Sequence, residues 1–521
     1  MAFLSLAAGA QTLGCWPLDF SESDAGRQSG ASGSGGYEPP VCPGDPVAEP
    51  ALVRDECGTF VSAKAAPGGN GTKAKPFVSF REAADRGAKR IYACAEVYAE
   101  TAGVKFDGGV EVFAGFTDCG ATGAWRWDEG SQATLNGKAD AVALTLSGGD
   151  NELRNLDVVA AAAATPGGSS IALVVEGGML DMKNGALTAQ EAQAGTEGDS
   201  LPDDSRLNGV PGAPGVGVCS SGAENPGPAG PSKICSTGGT STGGKGGDGG
   251  VLMGGMAQPA GKGANGGPAD PAEPSKGLGG AGQGSGSCVA GTTGANGKPG
   301  ESGAGAPALG ELSAAGYSGN PGVDGTTGKP AQGGGGGGGA KGANSITCSG
   351  TTLNRVGASG SAGGSGGCGG NLGGGGKAGG SSIALISLDA TVTLTAVTLT
   401  AGKAGAGGKG GNGQPGGQPG AQGTPGAGQG SALPGCRGGD GGLGGPGGPG
   451  GGGQGGHSLG IAFSGTAPTG GTISVEPSNR GLGGPGGTDN TTANQGKGAD
   501  GIAEPCWDFA KNAACSASAS P

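Results

Sequence analysis

The sequence predicts an all-β protein in which short strands stack as rungs and glycine-rich segments loop out between them. The first observation is a repeat, because the run at 167–189 returns without a gap at 379–401 and more weakly at 455–477. The second is that short β-rich runs recur about every 15–25 residues, the spacing of units that cannot bury a core alone and must stack. The third is composition, since 133 glycines and 34 prolines in 521 residues exceed the content of an ordinary globule.

Charge and composition exclude several classes of function. The formal net charge of −12 leaves no dense Lys/Arg face for nucleic acid or an anionic membrane. No apolar run approaches the ~20 residues of a membrane helix. The single histidine, His457, offers little basis for histidine-dependent catalysis or a His-rich metal site. No cofactor, metal or nucleic-acid partner is therefore expected.

Thirteen cysteines indicate disulfides formed in an oxidising compartment. They show no C-x-x-C pair and no accompanying histidines, which disfavours zinc and iron–sulfur sites. The sequence leaves their pairing open, although the neighbours Cys42 and Cys57, Cys219 and Cys235, and Cys506 and Cys515 would each close a short loop. The disulfide candidates are Cys42, Cys57, Cys94, Cys119, Cys219, Cys235, Cys288, Cys348, Cys368, Cys436, Cys506 and Cys515.

Residues 1–15, MAFLSLAAGAQTLGC, join a short apolar stretch to Cys15. This segment resembles a bacterial lipoprotein signal, which implies that Cys15 carries lipid. It departs from that pattern because no Lys or Arg precedes the apolar stretch and Thr12 stands where leucine is preferred. A shortened secretory signal with one odd cysteine is the alternative. Residues 16–56 are rich in Ser, Gly, Pro and acid, and are predicted to be a flexible tether.

The segment 57–189 has an almost normal composition, and its opening shows a distinctive order of elements. A Gly71-Thr72 turn is followed by Pro76-Phe77, a helix at 79–86, a strand at 90–94 and a Glu-x-Tyr motif at 96–98. This order resembles the opening of right-handed parallel β-helix (pectin-lyase-like) domains, and implies that fold with an N-terminal capping helix. Helix chemistry agrees independently, because Ser79 can cap the N-terminus, Glu82 completes a capping box and Gly87 ends the helix.

Further strands follow this cap. They are predicted at 97–106, 110–116, 133–135, 142–146 and 153–159, and the repeat adds rungs at 381–401 and 457–480. An antiparallel β-sandwich with similar strand lengths is the alternative. Residues 481–521 are predicted to be a C-terminal tail or cap, in which Trp507 and Phe509 cover the last rung.

Two glycine-rich inserts, 190–380 and 402–456, separate the rungs. From Gly438 to Gly456 every third residue is glycine, the period of an extended left-handed helix with three residues per turn. Bare glycine faces predict that several such helices pack side by side and exchange N–H···O=C bonds. The inserts resemble PGRS-type mycobacterial surface proteins and some phage adhesin tips, which implies polyglycine-II bundles. Disorder is the alternative, because glycine loses much entropy on ordering.

An enzyme is the main rival to a structural role, since right-handed β-helices often carry polysaccharide lyases and hydrolases. Such sites need carboxylates on adjacent rungs and a basic side chain. The candidates are Asp150, Arg154 and Asp157 on one rung, and Asp181 with Lys183 on the next. Asp181 and Lys183 align with Thr393 and Thr395 in the second copy of the repeat, so the charges are not repeated.

The predicted function is that of a non-enzymatic secreted or outer-surface protein with a structural or adhesive role. Its expected partners are extracellular polysaccharide or other surface proteins, and its expected contact with a membrane is a lipid on Cys15. A polysaccharide lyase or hydrolase and a disordered matrix spacer are the alternatives. The ligand and the oligomeric state are not specified by the residues.

Overall fold

The computed structural model describes residues 42–120, 122–220, 223–488 and 496–515. Cys15 and the lipoprotein-like segment lie outside the described residues, as does the tether up to residue 41. The chain is nearly all β, as predicted, and short 3-10 turns occur at Pro50–Leu52, Ser205–Leu207 and Pro477–Asn479.

The regular elements before the first insert are one short helix and a series of strands. They are α1 (Phe80–Asp85), β1 (Thr59–Val61), β2 (Arg90–Cys94), β3 (Val97–Ala99), β4 (Val104–Asp107), β5 (Glu111–Thr117), β6 (Arg126–Trp127), β7 (Ala133–Asn136), β8 (Val142–Ser147), β9 (Asp150–Arg154), β10 (Leu156–Val159), β11 (Ser170–Glu176) and β12 (Met179–Ala189).

The remaining strands lie in the inserts or follow them. They are β13 (Ser232–Ile234), β14 (Thr240–Thr242), β15 (Leu252–Met253), β16 (Met256–Ala257), β17 (Glu311–Ser313), β18 (Gly316–Ser318), β19 (Ala343–Cys348), β20 (Thr351–Arg355), β21 (Ser382–Leu388), β22 (Thr391–Ala401), β23 (Ser458–Ser464), β24 (Thr469–Val475), β25 (Ala503–Asp508) and β26 (Ala513–Ala514).

Two large sheets contain the strands outside the inserts. The first runs β1-β2-β5-β9-β12-β10-β7-β3, with β22 joined to β12 and β24 to β22. The second runs β26-β25-β23-β21-β11-β8-β4. Their pairs are parallel except for those of β6 and β26. The chain visits the sheets alternately, passing from β8 to β9, β11 to β12, β21 to β22 and β23 to β24. This parallel pairing is not that of the antiparallel sandwich considered as the alternative.

Residues 212 positions apart are direct neighbours, as the repeat predicts for rungs of one scaffold. Ile171 pairs with Ile383, and Leu187 pairs with Leu399. The third copy continues the second sheet, where Leu385 pairs with Ile461. The two long glycine-rich inserts therefore leave and rejoin a continuous stack of strands.

The core lies between the two sheets and is built from columns of equivalent side chains. Leu144, Leu173, Leu385 and Ile461 are buried at one register position of successive strands. Such a side chain contributes roughly 1.5–3 kcal/mol when fully buried. This stabilisation requires that the strands stack, because two successive strands are too short to bury a core alone.

Glycine pairs make the tight turn from the second sheet to the first. Gly148 and Gly149 both have φ of +68°, and Gly177 and Gly178 have φ of +67° and +68°. A Cβ on Gly178 would lie 2.1 Å from the carbonyl oxygen of Gly149 in the turn of the adjacent rung. Positive φ and this close stacking both require glycine.

Helix α1 begins as the capping signal predicts. Ser79 Oγ accepts a hydrogen bond from the backbone N–H of Glu82 at 3.1 Å. The Glu82 carboxylate accepts from Val78 N rather than from Ser79 N, so the reciprocal bond of the capping box is displaced by one residue. Phe80 and Ala83 are buried against the core between the sheets.

Residues 42–56, which the sequence predicts to be the end of a flexible tether, are folded against the first sheet. Residues 42–56 pack on the outer side of the first sheet, where Arg90 Nη1 donates to Cys42 O at 2.7 Å. Tyr92 Oη donates to Leu52 O at 2.7 Å, and a disulfide joins Cys42 to Cys57. The composition of this segment conceals these contacts because backbone carbonyls make several of them and only a few apolar side chains, such as Val47 and Val53, add to the packing.

The C-terminal segment is more than a tail. Strand β25 extends the second sheet by pairing in parallel with β23. Trp507 and Phe509 pack on the outer face of this sheet rather than over the end of the stack. A disulfide between Cys506 and Cys515 closes the loop that follows.

Backbone hydrogen bonds join the glycine-rich segments with a period of three. Gly441 N donates to Gly420 O, and Gly442 N donates to Gln332 O in a different segment. The next residue, Leu443, accepts from Gly297 N in a third segment. The same scheme recurs three residues later, which is the behaviour expected of packed helices and not of a disordered chain.

The run of glycines at 333–339 donates backbone hydrogen bonds to three other segments. Gly334 N donates to Gly364 O, Gly335 N to Thr292 O, and Gly336 N to Ala264 O. The following three residues donate to the same three segments, one triplet farther along. Because the partners repeat every three residues, each residue of the run contacts another backbone, so glycine is needed at every position.

Candidate functional site

Three carboxylates lie side by side on the outer face of the first sheet. Glu111 on β5 is in register with Glu152 on β9, which is in register with Asp181 on β12. Parallel strands place equivalent side chains in one row, about 4.7–4.9 Å apart from strand to strand. Asp181 was a candidate from sequence, whereas Glu111 and Glu152 were missed. Glu152 lies midway between the candidates Asp150 and Arg154 on the same strand face, a signal that could have identified it.

Cations are interleaved with these carboxylates. Arg154 Nε lies 2.6 Å from Glu152 Oε1, and its Nη1 lies 3.0 Å from Asp45 Oδ2. Lys183 Nζ lies 2.5 Å from Asp181 Oδ2 and 3.6 Å from Glu152 Oε1. We call this group, completed by the Arg90–Glu111 ion pair, the charged face.

The electrostatics of the charged face hold its cations protonated. Burial would lower the pKa of Arg90, but the hydrogen bond and charge of Glu111 outweigh it and raise that pKa. Burial would likewise lower the pKa of Arg154, but the hydrogen bonds and charges of Glu152 and Asp45 outweigh it and raise that pKa. The hydrogen bond from Lys183 to Asp181 raises the lysine pKa. A general base must release its proton near the working pH, so these shifts oppose that role.

The sequence-predicted site residues do not all converge. Arg154, Asp181 and Lys183 meet on the charged face. Asp150 is exposed, and its register partner is Met179. Asp157 lies beyond the corner at Asn155, between Thr134 and Ala186 on the neighbouring strands. Burial raises the Asp157 pKa, and the N–H of Ala186 partly offsets this.

The charged face also anchors the N-terminal segment. The Arg90 and Arg154 guanidinium carbons lie 5.9 and 5.5 Å from the centroid of the Phe113 ring. Asp45, which belongs to the segment that packs there, provides one of the carboxylates of Arg154. The ion pairs thus have a structural use that accounts for their burial.

Beyond the corner, the first sheet presents a surface rich in hydroxyl groups. Thr398 and Thr400 on β22 are exposed and in register with Thr472 and Ser474 on β24. Thr188 continues the row on β12. We call this surface the hydroxyl face, and it is defined by Thr134, Asn136, Thr188, Thr398, Thr400, Thr472 and Ser474.

The outer side of the second sheet is covered by a hairpin from the first insert. Tyr317 on β18 packs against Ile171, Ile383 and Leu459, and its ring lies 4.5 Å from that of His457. His457 Nδ1 accepts from Ile502 N at 2.9 Å. Burial lowers the pKa of His457 to about 4, so the ring is neutral at pH 7.

Six disulfides use the twelve candidate cysteines. Three connect distant parts of the inserts: Cys219–Cys348, Cys235–Cys368 and Cys288–Cys436. Cys219 and Cys235, proposed above as neighbours that could pair, are therefore bonded elsewhere, because packing of the glycine-rich segments brings remote cysteines closer than adjacent ones. The other bonds are Cys42–Cys57, Cys94–Cys119 and Cys506–Cys515. This content fits an oxidising extracellular environment.

In 42–120, 122–220, 223–488 and 496–515, no group of three His, Cys, Asp or Glu side chains is arranged to hold a metal ion. No helix within these ranges is long and apolar enough to cross a bilayer. Comparisons with protein-family models, curated proteins and solved structures found no match to the chain.

Proposed function

We propose that this chain is a non-enzymatic, secreted or cell-surface protein with a structural or adhesive role. Its strands form a right-handed parallel β-helix, and its inserts form a polyglycine-II-type bundle fixed to that helix. The observation that carries the proposal is the continuous network of backbone hydrogen bonds through the inserts, reinforced by three disulfides that each span more than 120 residues. Such a body presents a large rigid surface.

The strand topology supports the β-helix. The chain alternates between two parallel sheets, and equivalent residues of successive rungs stack in columns. At the corner within the first sheet, Asn155 and Asn184 have φ of 54° and 56°, and Asn184 Nδ2 donates to Asn155 Oδ1 at 2.9 Å. Repeated turns of this kind are expected of a solenoid, and parallel crossover connections are overwhelmingly right-handed.

The surfaces support an adhesive rather than a catalytic role. The candidate charges Arg154, Asp181 and Lys183 are engaged in ion pairs. The residues that define the hydroxyl face are all uncharged, and the carboxylate of Asp157 lies in the same row as Thr134. Hydroxyl and methyl groups on a rigid sheet suit weak, repeated contacts with polysaccharide. A lipid on Cys15, which lies outside the described residues, would hold the protein at a bacterial cell surface.

A polysaccharide lyase or hydrolase is the second candidate, because Glu111, Glu152 and Asp181 occupy adjacent strands. We expect retention on insoluble acidic or neutral polysaccharide without any change in polymer length, with and without calcium. Co-sedimentation with the insoluble polysaccharide measures retention. Gel filtration of the soluble form of the polymer measures its chain length.

Cleavage that is lost in Asp181→Ala, but kept in a control at an exposed aspartate of the first insert, Asp203→Ala, would establish the enzyme instead. Mass spectrometry of the mature N-terminus tests the anchor separately. An unmodified Cys15 would exclude lipidation but leave the adhesive role intact.

A further inference from the structure

A cavity of about 390 Å³ lies at one edge of the glycine-rich inserts. Its wall includes residues of two hairpins, Leu252 of β15 and Arg355 of β20, together with Ser220, Asn225 and Val356. This volume is at the lower end of the range of small-molecule pockets, roughly 300–1,000 Å³. The space suits a small ligand or the end of a longer one.

Arg355 is the charged side chain in the cavity wall. Its Nε is shielded from solvent, and no described residue accepts a hydrogen bond from it. Among the ion pairs of the described ranges, none includes Arg355, although the chain has a net charge of −12. Arg355 is otherwise partly exposed, so its terminal nitrogens remain open to the cavity, whereas the shielded Nε–H is costly because it has lost its water and gained no partner.

The cavity wall is held in place by covalent and hydrogen bonds. Arg355 pairs with Ala343 across the β19–β20 hairpin, and Cys348 in the same hairpin is bonded to Cys219, the neighbour of Ser220. Asn225 Nδ2 donates to Gly217 O at 3.2 Å and to Gly357 O at 2.9 Å. The backbone that carries Arg355 is therefore braced by the hairpin and its disulfide, which lowers the entropic cost of ordering this wall on binding.

The polar groups beside Arg355 add hydrogen-bonding capacity. Ser220 Oγ donates to Asn225 Oδ1, which leaves its lone pairs free to accept. Asn354 Oδ1 accepts from Ser345 N at 3.3 Å, which leaves the amide N–H groups of Asn354 available as donors. Leu252 and Val356 form the apolar part of the wall.

We propose that this cavity binds the carboxylate of an acidic sugar, a uronic-acid unit. The Arg355 fork matches a carboxylate in two parallel hydrogen bonds. Ser220 and Asn354 suit sugar hydroxyls, and the aliphatic residues suit the apolar face of a pyranose ring. This ligand site goes beyond the proposed structural or adhesive role. A failure to bind glucuronate would leave that role untouched.

The test is isothermal titration calorimetry of the full-length, disulfide-intact protein with glucuronate, with glucose and with inorganic sulfate. We expect glucuronate to bind, glucose to bind at least tenfold more weakly, and sulfate to bind more weakly than glucuronate. Arg355→Gln removes the charge and keeps the length of the side chain, and it should weaken glucuronate binding about 10- to 100-fold, as expected for charge-assisted bonds.

Arg437→Gln is the matched control, because Arg437 is an exposed arginine of the second insert that does not line the cavity. Unchanged binding in Arg437→Gln, with loss in a folded Arg355→Gln, supports the site. Should Arg355→Gln unfold, Ser220→Ala provides a milder variant that should weaken glucuronate about tenfold or less. Absence of glucuronate binding, equal affinity for glucose, tighter binding of sulfate, or binding of an acidic peptide alone would overturn the proposal.

Discussion

At the scale of the residue, the number of glycines in each triplet of the inserts matches the number of neighbouring segments that accept hydrogen bonds from its backbone N–H groups. The 438–456 segment has two glycines in most triplets and donates to two segments, while the 333–339 run has three and donates to three. A missing Cβ lets backbones approach until Cα–H groups contact carbonyl oxygens, a weak but repeated interaction. Glycine is thus selected here by close packing more than by its conformational freedom.

Replacing a packed glycine should disrupt the bundle. A Cβ on Gly337 would lie 2.1 Å from Cys436 O and 2.4 Å from Arg437 O, both of them backbone atoms that cannot rotate away. We expect Gly337→Ala to lower the free energy of unfolding by about 1–3 kcal/mol or more. Denaturant unfolding and hydrogen exchange of the insert amides measure the effect.

Gly284→Ala is the control for this prediction, because a Cβ there meets no atom within 4 Å. It should leave stability unchanged within about 0.5 kcal/mol. Equal losses in the two variants would show that entropy, and not packing, makes glycine necessary.

His457 makes stability depend on pH. Its pKa in the folded protein is about 4, because burial disfavours the charged ring, against 6.5 when exposed. The contribution is complete above pH 6.5 and is lost as the pH falls toward 4, since only the unfolded chain then takes up a proton. The loss is at most about 3 kcal/mol.

Unfolding experiments at pH 7, 5.5 and 4 test this prediction through the difference between the wild type and His457→Gln. The subtraction removes the contribution of the carboxylates, which titrate in both proteins. Parallel pH profiles would contradict a buried neutral histidine.

At the scale of the element, α1 has six residues and is too short to be stable alone, so its caps and its packing decide whether it forms. Ser79 caps one amide, and the Glu100 carboxylate accepts from Phe80 N at 2.8 Å. Burial raises the pKa of Glu100, while the hydrogen bond from Phe80 acts against that rise. The cap therefore depends on a strand-end residue as well as on its own sequence.

Removing the cap hydroxyl should destabilise this end of the strand stack. Ser79→Ala is expected to cost about 1 kcal/mol, whereas Ser79→Thr keeps the hydroxyl and most of the stability. The midpoints of denaturant unfolding distinguish the two variants. An equal loss in both would mean that the side-chain volume at this position matters more than its hydrogen bond.

At the scale of the whole molecule, disulfides compensate for the small hydrophobic content of the inserts. Cys235–Cys368 joins residues 133 positions apart, whereas Cys506–Cys515 joins residues 9 positions apart. On the chain-entropy estimate, a loop of about 100 residues gains ~5 kcal/mol and a short loop less than ~3 kcal/mol. Replacing both cysteines of the longer loop with serine should therefore be the more damaging change.

Limited proteolysis and denaturant unfolding of the two double-serine variants test which of the two disulfides contributes more to stability. New cleavage within 190–380 is expected only for the Cys235–Cys368 variant. Greater damage from loss of the Cys506–Cys515 bond would show that the bundle does not rely on its disulfides.

Much of the scaffold follows from local sequence. The helix at Phe80–Asp85, the strand at Arg90–Cys94 and the pairing at 212 positions were predictable, because caps, alternation and internal repeats are encoded within short windows. The site was less predictable. Glu111 and Glu152 joined Asp181 only through strand register, which depends on how far each rung is offset from the next.

The sequence by itself determined the all-β class, the extent of the repeat and the three-residue period of the inserts, since each depends on neighbours along the chain. The tertiary structure alone decided which glycine-rich segments are adjacent, and hence that Cys219 bonds Cys348 and Cys235 bonds Cys368. It also placed Arg355 beside Ser220 across more than 130 positions. The physical reason is that the glycine-rich segments have nearly the same sequence pattern, so only the packing of the whole chain selects their partners.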